Sequence, residues 1–236
     1  MENRPLVAVD PTGHDLMIVG GRGGDLDPKL WKEWIVAYKG WTDEEWEAFY
    51  DKWDRASELN DKNTVLAGEG IGIFTWGGST WDEAIGNAHS SQTKDMVDDL
   101  ASQMASMEDV TLIGWSKGGN LVLHYMQQLE SGEFETAITP LRAVLLAPGT
   151  HPAGPAVGAS WVKNEVPTGG PRAINICAHQ DPACPLTVRN AHNINPPKEQ
   201  GHGPHGNYAL PVIDALNVVG HHAARTQQPY YPFRRH

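Results

Sequence analysis

The sequence predicts a single α/β domain, with a mostly parallel central sheet and helices on both faces. Short β-rich runs alternate with longer helical patterns along the chain, as expected when each crossover between parallel strands carries a helix. No repeat of ~20–50 residues is present, which sets aside solenoids and propellers. A chain of 236 residues can bury a sizeable core without staples. No linker divides residues 1–236 into two units.

The elements follow in chain order. Leu6–Val9 predicts an antiparallel strand ahead of the others. Leu16–Val19 (LMIV) reads as a buried strand, ended by the GGRGG of residues 20–24. Five of the nine tryptophans (Trp31, Trp34, Trp41, Trp46 and Trp53) fall between residues 31 and 53. Thr42 and Glu45 form a capping box ahead of Trp46, Phe49, Tyr50 and Trp53, an apolar stripe at helical spacing. The main reading of the segment 31–60 is a helix pair packed on the sheet. The sharper one is an aromatic cap or acyl-binding wall.

Ile71–Trp76 is the next strand. Met96, Leu100 and Met104 give one buried helix face before the strand Val110–Ile113. Leu121, Tyr125 and Leu129 do the same after Ser116, with Gly132 as C-cap. Arg142–Ala147 and Ala173–Cys177 are further strands. A last helix starts near Leu210, with Pro211 in its first turn, and runs through Ile213, Leu216 and Val219. Residues 148–172 and 186–204 read as long loops, and residues 225–236 as a tail.

Composition excludes several classes. The net charge of −11 argues against nucleic acid or anionic lipid, which need clustered Lys and Arg. Residues 1–9 lack the apolar stretch of a secretory signal. The longest apolar run, Ala143–Ala147, is far short of the ~20 residues that span a bilayer. The expectation is a soluble chain, cytoplasmic as it stands and secreted if a leader precedes it.

Chemistry concentrates at GWSKGG, residues 114–119, between a predicted strand and a predicted helix. This segment resembles the G-x-S-x-G nucleophile elbow of the α/β-hydrolase fold. A sharp strand-to-helix turn leaves no room for side chains at Gly114 or Gly118. It exposes the Ser116 hydroxyl at a helix N-terminus, where oriented N–H groups favour developing negative charge. Serine needs a base, and the base an orienting acid. In the α/β-hydrolase order these follow as Ser, Asp or Glu, then His. The loop after Ala147 holds no carboxylate, whereas the loop after Ala173–Cys177 holds Asp181. Two histidines, His202 and His205 in GHGPHGNY, are candidates for the base.

An oxyanion hole needs two backbone N–H donors. One is expected from Lys117, the residue after the nucleophile. The other is expected from Arg22, because LMIVGGRGG is similar to the strand and glycine-rich segment that supplies this donor in α/β hydrolases. The same glycines lack the spacing of a dinucleotide-binding loop, and no P-loop Gly-Lys-Ser/Thr follows. Trp76 and Trp115 flank predicted catalytic loops and are candidates for the substrate pocket, where aromatic lining suits an apolar acyl chain or a ring. No carboxylate or cysteine completes a metal site around His202 and His205 or His221 and His222. No metal or other cofactor is expected.

The segments C-x3-D-x2-C (Cys177 to Cys184) and H-x2-Y (His205 to Tyr208), taken with GWSKGG, resemble the cutinase family of serine esterases. That resemblance implies a catalytic triad of Ser116, Asp181 and His205, and a disulfide between Cys177 and Cys184 that brackets the acid. The alternative for the cysteines is a pair of buried thiols. Trp115 and Lys117 stand where cutinases usually carry Tyr and Gln. The expected activity is hydrolysis of carboxylic esters through an acyl-enzyme. Two alternatives stay open: the same triad acting on a cell-envelope lipid ester, thioester or amide, and a non-catalytic binding protein of the same fold.

Overall fold

The computed structural model describes residues 15–20, 27–58, 66–75, 91–132, 140, 142–146, 163–170, 172–177 and 187–195. Six strands form one sheet: β1 (Leu16–Val19), β2 (Ile71–Phe74), β3 (Thr111–Trp115), β4 (Arg142–Leu146), β5 (Arg172–Ile176) and β6 (His192–Ile194). Their order is β2-β1-β3-β4-β5-β6, and every neighbouring pair is parallel. The helices are α1 (Lys32–Lys39), α2 (Asp43–Glu58), α3 (Ser91–Met104) and α4 (Lys117–Ser131). A 3-10 turn, Pro28–Trp31, leads into α1. The expected strand Leu6–Val9, the last helix and the tail lie outside the described residues.

Alternation along each strand sorts the core into two layers. Leu16, Ile18, Ile73, Ile113, Val144 and Ile174 face α1 and α2, whose Trp34, Ile35, Trp46, Phe49 and Trp53 pack against them. Met17, Val19, Phe74, Leu112, Leu145 and Ala173 face α3 and α4. Burial on both faces is why these strands read as unbroken apolar runs rather than as alternating ones. The tryptophans of residues 31–53 thus pack onto the sheet, and Trp41 joins them half-buried. The capping box is formed: Glu45 N donates to Thr42 Oγ1 at 3.2 Å, and Thr42 N donates to Glu45 Oε2 at 2.7 Å.

Three elements differ from expectation. β3 continues through Gly114 and Trp115, because Trp115 still pairs with Leu146 of β4. β6 lies within residues 186–204, which composition marks as loop. Its three residues contain only one apolar side chain, so pairing with β5 makes it a strand. Asn193 assists: its Oδ1 accepts from Val188 N at 2.7 Å and from Asn175 Nδ2 at 3.0 Å. Finally, α4 is buried nearly all round rather than on one face, from Gly118 to Met126 and at Gln128, as befits a helix at the centre of a domain. Gly132 ends it in the left-handed conformation, at φ 73°.

Tyr125 of α4 is fully buried, and burial pushes its phenol up from 10.0 to about 12. Below pH 10 the phenol is protonated in both folded and unfolded chains. Above pH 10 the unfolded chain releases that proton while the folded chain holds it until about pH 12. Stability therefore falls through this window, by about 3 kcal/mol for this one group. Tyr125→Phe is expected to flatten urea-measured stability between pH 10 and 12 relative to wild type. An unchanged slope would assign the alkaline loss to other groups.

Candidate active site

The turn between β3 and α4 carries Ser116 with φ 54° and ψ −119°. Two other non-glycine residues described here have positive φ, Asp109 and Asn190. Their short side chains tolerate the left-handed region. Serine has no such allowance, and this ψ lies outside the left-handed helical well, so the conformation costs about 1–3 kcal/mol. Surrounding contacts must hold it in place.

Those contacts are backbone to backbone. Ser116 N donates to Leu146 O at 2.7 Å, and Gly119 N donates to Ser116 O at 3.0 Å. A Cβ at Gly114 would lie 2.7 Å from both Gly118 O and Gly119 Cα, because α4 turns back directly over the end of β3. A Cβ at Gly118 would run into Val19 O and lie 2.6 Å from Gly20 O. Both glycines of the motif are thus required by close approach, as the sequence predicts. The Gly118 contact also brings the exit of β1 against the first turn of α4. Gly20 is fixed there by its own N–H, which donates to Phe74 O at 2.9 Å.

Serine is a favoured N-cap because its hydroxyl usually accepts from an amide of the first helical turn. The Ser116 hydroxyl makes no such bond, although Ser116 precedes Lys117, the first residue of α4. The first-turn amides of α4, that of Lys117 included, point back toward the Ser116 turn. They carry the positive end of the helix dipole.

Trp115 lies half-buried next to Ser116, with its ring edge-on to that of Trp31 at 5.8 Å and 77°. Trp31 in turn meets Trp34 at 4.9 Å. Nothing in the sequence pairs Trp31 with Trp115, which are 84 positions apart. The hint available there was only that both are aromatic.

The parallel sheet brings the end of β5 to the same edge as Ser116. Cys177 follows β5 directly, fully buried and disulfide-bonded. Its N–H donates to Ile194 O at 3.0 Å, and its carbonyl accepts from Asn195 Nδ2 at 3.0 Å. The base of the next loop is therefore held through β6. Asn195 does not stand out in the sequence. Asp181, Cys184, His202, His205, Arg22 and Trp76 lie outside the described residues, as do His221 and His222. Among the described residues no group of three His, Cys, Asp or Glu could hold a metal ion. No helix among them is long and apolar enough to cross a membrane.

A parallel sheet in this order, covered by helices on both faces and running through a glycine-flanked strand-to-helix turn after its third strand, is the α/β-hydrolase fold. No protein-family model and no curated protein matches the chain. Among solved structures, the chain is similar to a YdeN-like hydrolase from Pectobacterium atrosepticum (14% identity, 87% of this chain and 91% of that one, TM-score 0.46). It is likewise similar to Est1E from Butyrivibrio proteoclasticus (11% identity, 91% and 90%, TM-score 0.46). A third is RedJ with a PEG molecule bound in its active site (12% identity, 94% and 93%, TM-score 0.42).

Proposed function

We propose that the chain is a serine hydrolase that cleaves carboxylic esters through an acyl-enzyme. The observation that carries this is Ser116: a strained, non-glycine turn residue with its hydroxyl left out of the helix cap, at the N-terminus of a buried helix. Strain held by surrounding structure is characteristic of functional positions. A plain Gly-rich turn would have no need of it.

In this reading Ser116 attacks the ester carbonyl while His205 takes its proton and then delivers it to the leaving alcohol. Water activated by His205 releases the acid. Asp181 holds the His205 tautomer and stabilises the imidazolium. The assignment of Asp181 draws support from its distance along the chain. It lies four residues past Cys177, a reach of at most ~14 Å, and β5 is two strands from β3, or ~10 Å. His205 rests on the H-x2-Y motif. The main-chain N–H groups of Lys117 and Arg22 bind the tetrahedral oxyanion. Arg22 is two residues beyond Gly20, which packs against Gly118. Trp115 and Trp76 line the acyl pocket, and the Cys177 disulfide is taken to close on Cys184.

Turnover of p-nitrophenyl esters of graded chain length tests this reading. An initial burst equal to one acyl group per chain is expected. His205→Ala should lower kcat by ~10⁴-fold or more and Asp181→Asn by a similar factor, with His202→Ala within ~3-fold of wild type. A larger loss in His202→Ala than in His205→Ala would move the base. No turnover by the wild type would leave a binding protein of this fold.

A further inference from the structure

Ser116 needs restraint from every side that touches the turn. On the α3 and α4 face, that restraint is the glycine backbone of the α4 N-terminus. Along the sheet, it is Leu146 O. On the opposite face, the side chain next to the nucleophile is Trp115, and what it meets there is Trp31.

Trp31 is well placed to act as a fixed stop. It is 5% exposed and belongs to the core layer under α1 and α2. The 3-10 turn that ends with it is itself tied down, because Asp27 Oδ1 accepts from Lys29 N at 2.8 Å and Asp27 Oδ2 accepts from Tyr50 OH at 3.5 Å. Among the described residues the Trp31 indole Nε1 has no hydrogen-bond partner. Its hold on Trp115 is therefore one of ring packing, not of a polar tether.

We propose that Trp31 is a positioning residue for the nucleophile, acting through Trp115 to keep the Ser116 turn in its strained geometry. This rests on the reading of Ser116 as an acyl-transfer nucleophile and adds to it a residue that touches neither substrate nor reacting atoms. Small misplacement of a reacting group is costly in rate, of order 10²-fold for ~1 Å. Removing the ring that Trp115 packs against opens room for a shift on that scale.

The test is the second-order rate of fluorophosphonate labelling at Ser116, read by intact mass beside thermal midpoint. The chains are wild type, Trp31→Leu, Trp31→Met, Trp31→Phe, Trp115→Leu, the Trp31→Leu/Trp115→Leu double and Trp53→Leu. Trp53 is a control from the same core layer, 4% exposed, whose ring meets Tyr50. Trp31→Leu is expected to slow labelling about tenfold or more while still reaching one adduct per chain, and Trp31→Phe to stay within about threefold. Trp53→Leu should lose thermal stability comparably yet label within about twofold of wild type, and the double should be no slower than the slower single.

Labelling of Trp31→Leu at the wild-type rate overturns the inference, as does equal slowing in Trp53→Leu. Where Trp31→Leu fails to fold, the milder truncation Trp31→Met, which keeps apolar bulk but removes the ring, carries the comparison. It must slow labelling in the same way, and a wild-type rate there overturns the inference too. A wild type that takes no label removes the nucleophile itself and the inference with it. That outcome is distinct from the failure of Trp31 alone.

Discussion

Ser116→Ala is expected to lower kcat for ester hydrolysis by ~10⁴–10⁶-fold without unfolding the chain. The two halves of this result have separate causes. Activity depends on an oxygen nucleophile, for which alanine has no substitute. Stability does not depend on that oxygen, because the Ser116 side chain makes no capping bond to α4. The turn is held by Leu146 O and by the glycine contacts, which alanine leaves in place. Ser116→Gly sharpens the point. Glycine adopts φ 54° without steric penalty, so this variant should be inactive yet more stable than wild type, by up to about 1–3 kcal/mol. Urea unfolding of the three chains checks it. Destabilisation of both variants would show that the hydroxyl serves the fold.

The second large effect belongs to Gly118→Ala. The added Cβ would run into Val19 O and sit 2.6 Å from Gly20 O. Both neighbours are backbone, one of them in a fully buried central strand, and neither can swing aside as a flexible side chain can. Overpacking of a core commonly costs ~1–3 kcal/mol, and a clash between backbones belongs at or above the top of that range. The α4 N-terminus must move away from β1, which also spoils the geometry of the first-turn amides. Gly118→Ala should therefore lower the thermal midpoint by several degrees. Whatever folded chain remains should react more slowly at Ser116. Gly132→Ala is a useful contrast: among the described residues no atom lies within 4 Å of the added Cβ, and its cost there is the positive φ of 73°. Equal reactivity of Gly118→Ala and wild type would mean that the close approach is incidental to the site.

Legibility in the sequence followed the physics of each element. β1, β3, β4 and β5 are buried on both faces, so their apolar runs announce them. The capping box and the elbow glycines are local devices, and both form as their spacing predicts. β6 is tertiary in origin. His192–Ile194 becomes a strand because β5 offers a free edge and Asn193 ties down the approach to it. Composition carries no trace of either. The full burial of α4 was likewise hidden, since Asn120, His124 and Gln128 are polar side chains yet all are buried. At the site, the Ser116 turn was legible because the glycine spacing it requires is encoded in five consecutive residues. The Trp31–Trp115 contact was not, since it joins distant segments whose register depends on the whole sheet.

The measurement that tests the central claim most directly is intact mass after treatment with a fluorophosphonate, on wild type and on Ser116→Ala. One adduct on the wild type and none on Ser116→Ala is the predicted result, and it would establish an activated nucleophile at Ser116. A folded wild type that takes no adduct, or a Ser116→Ala chain that still takes one, would contradict it.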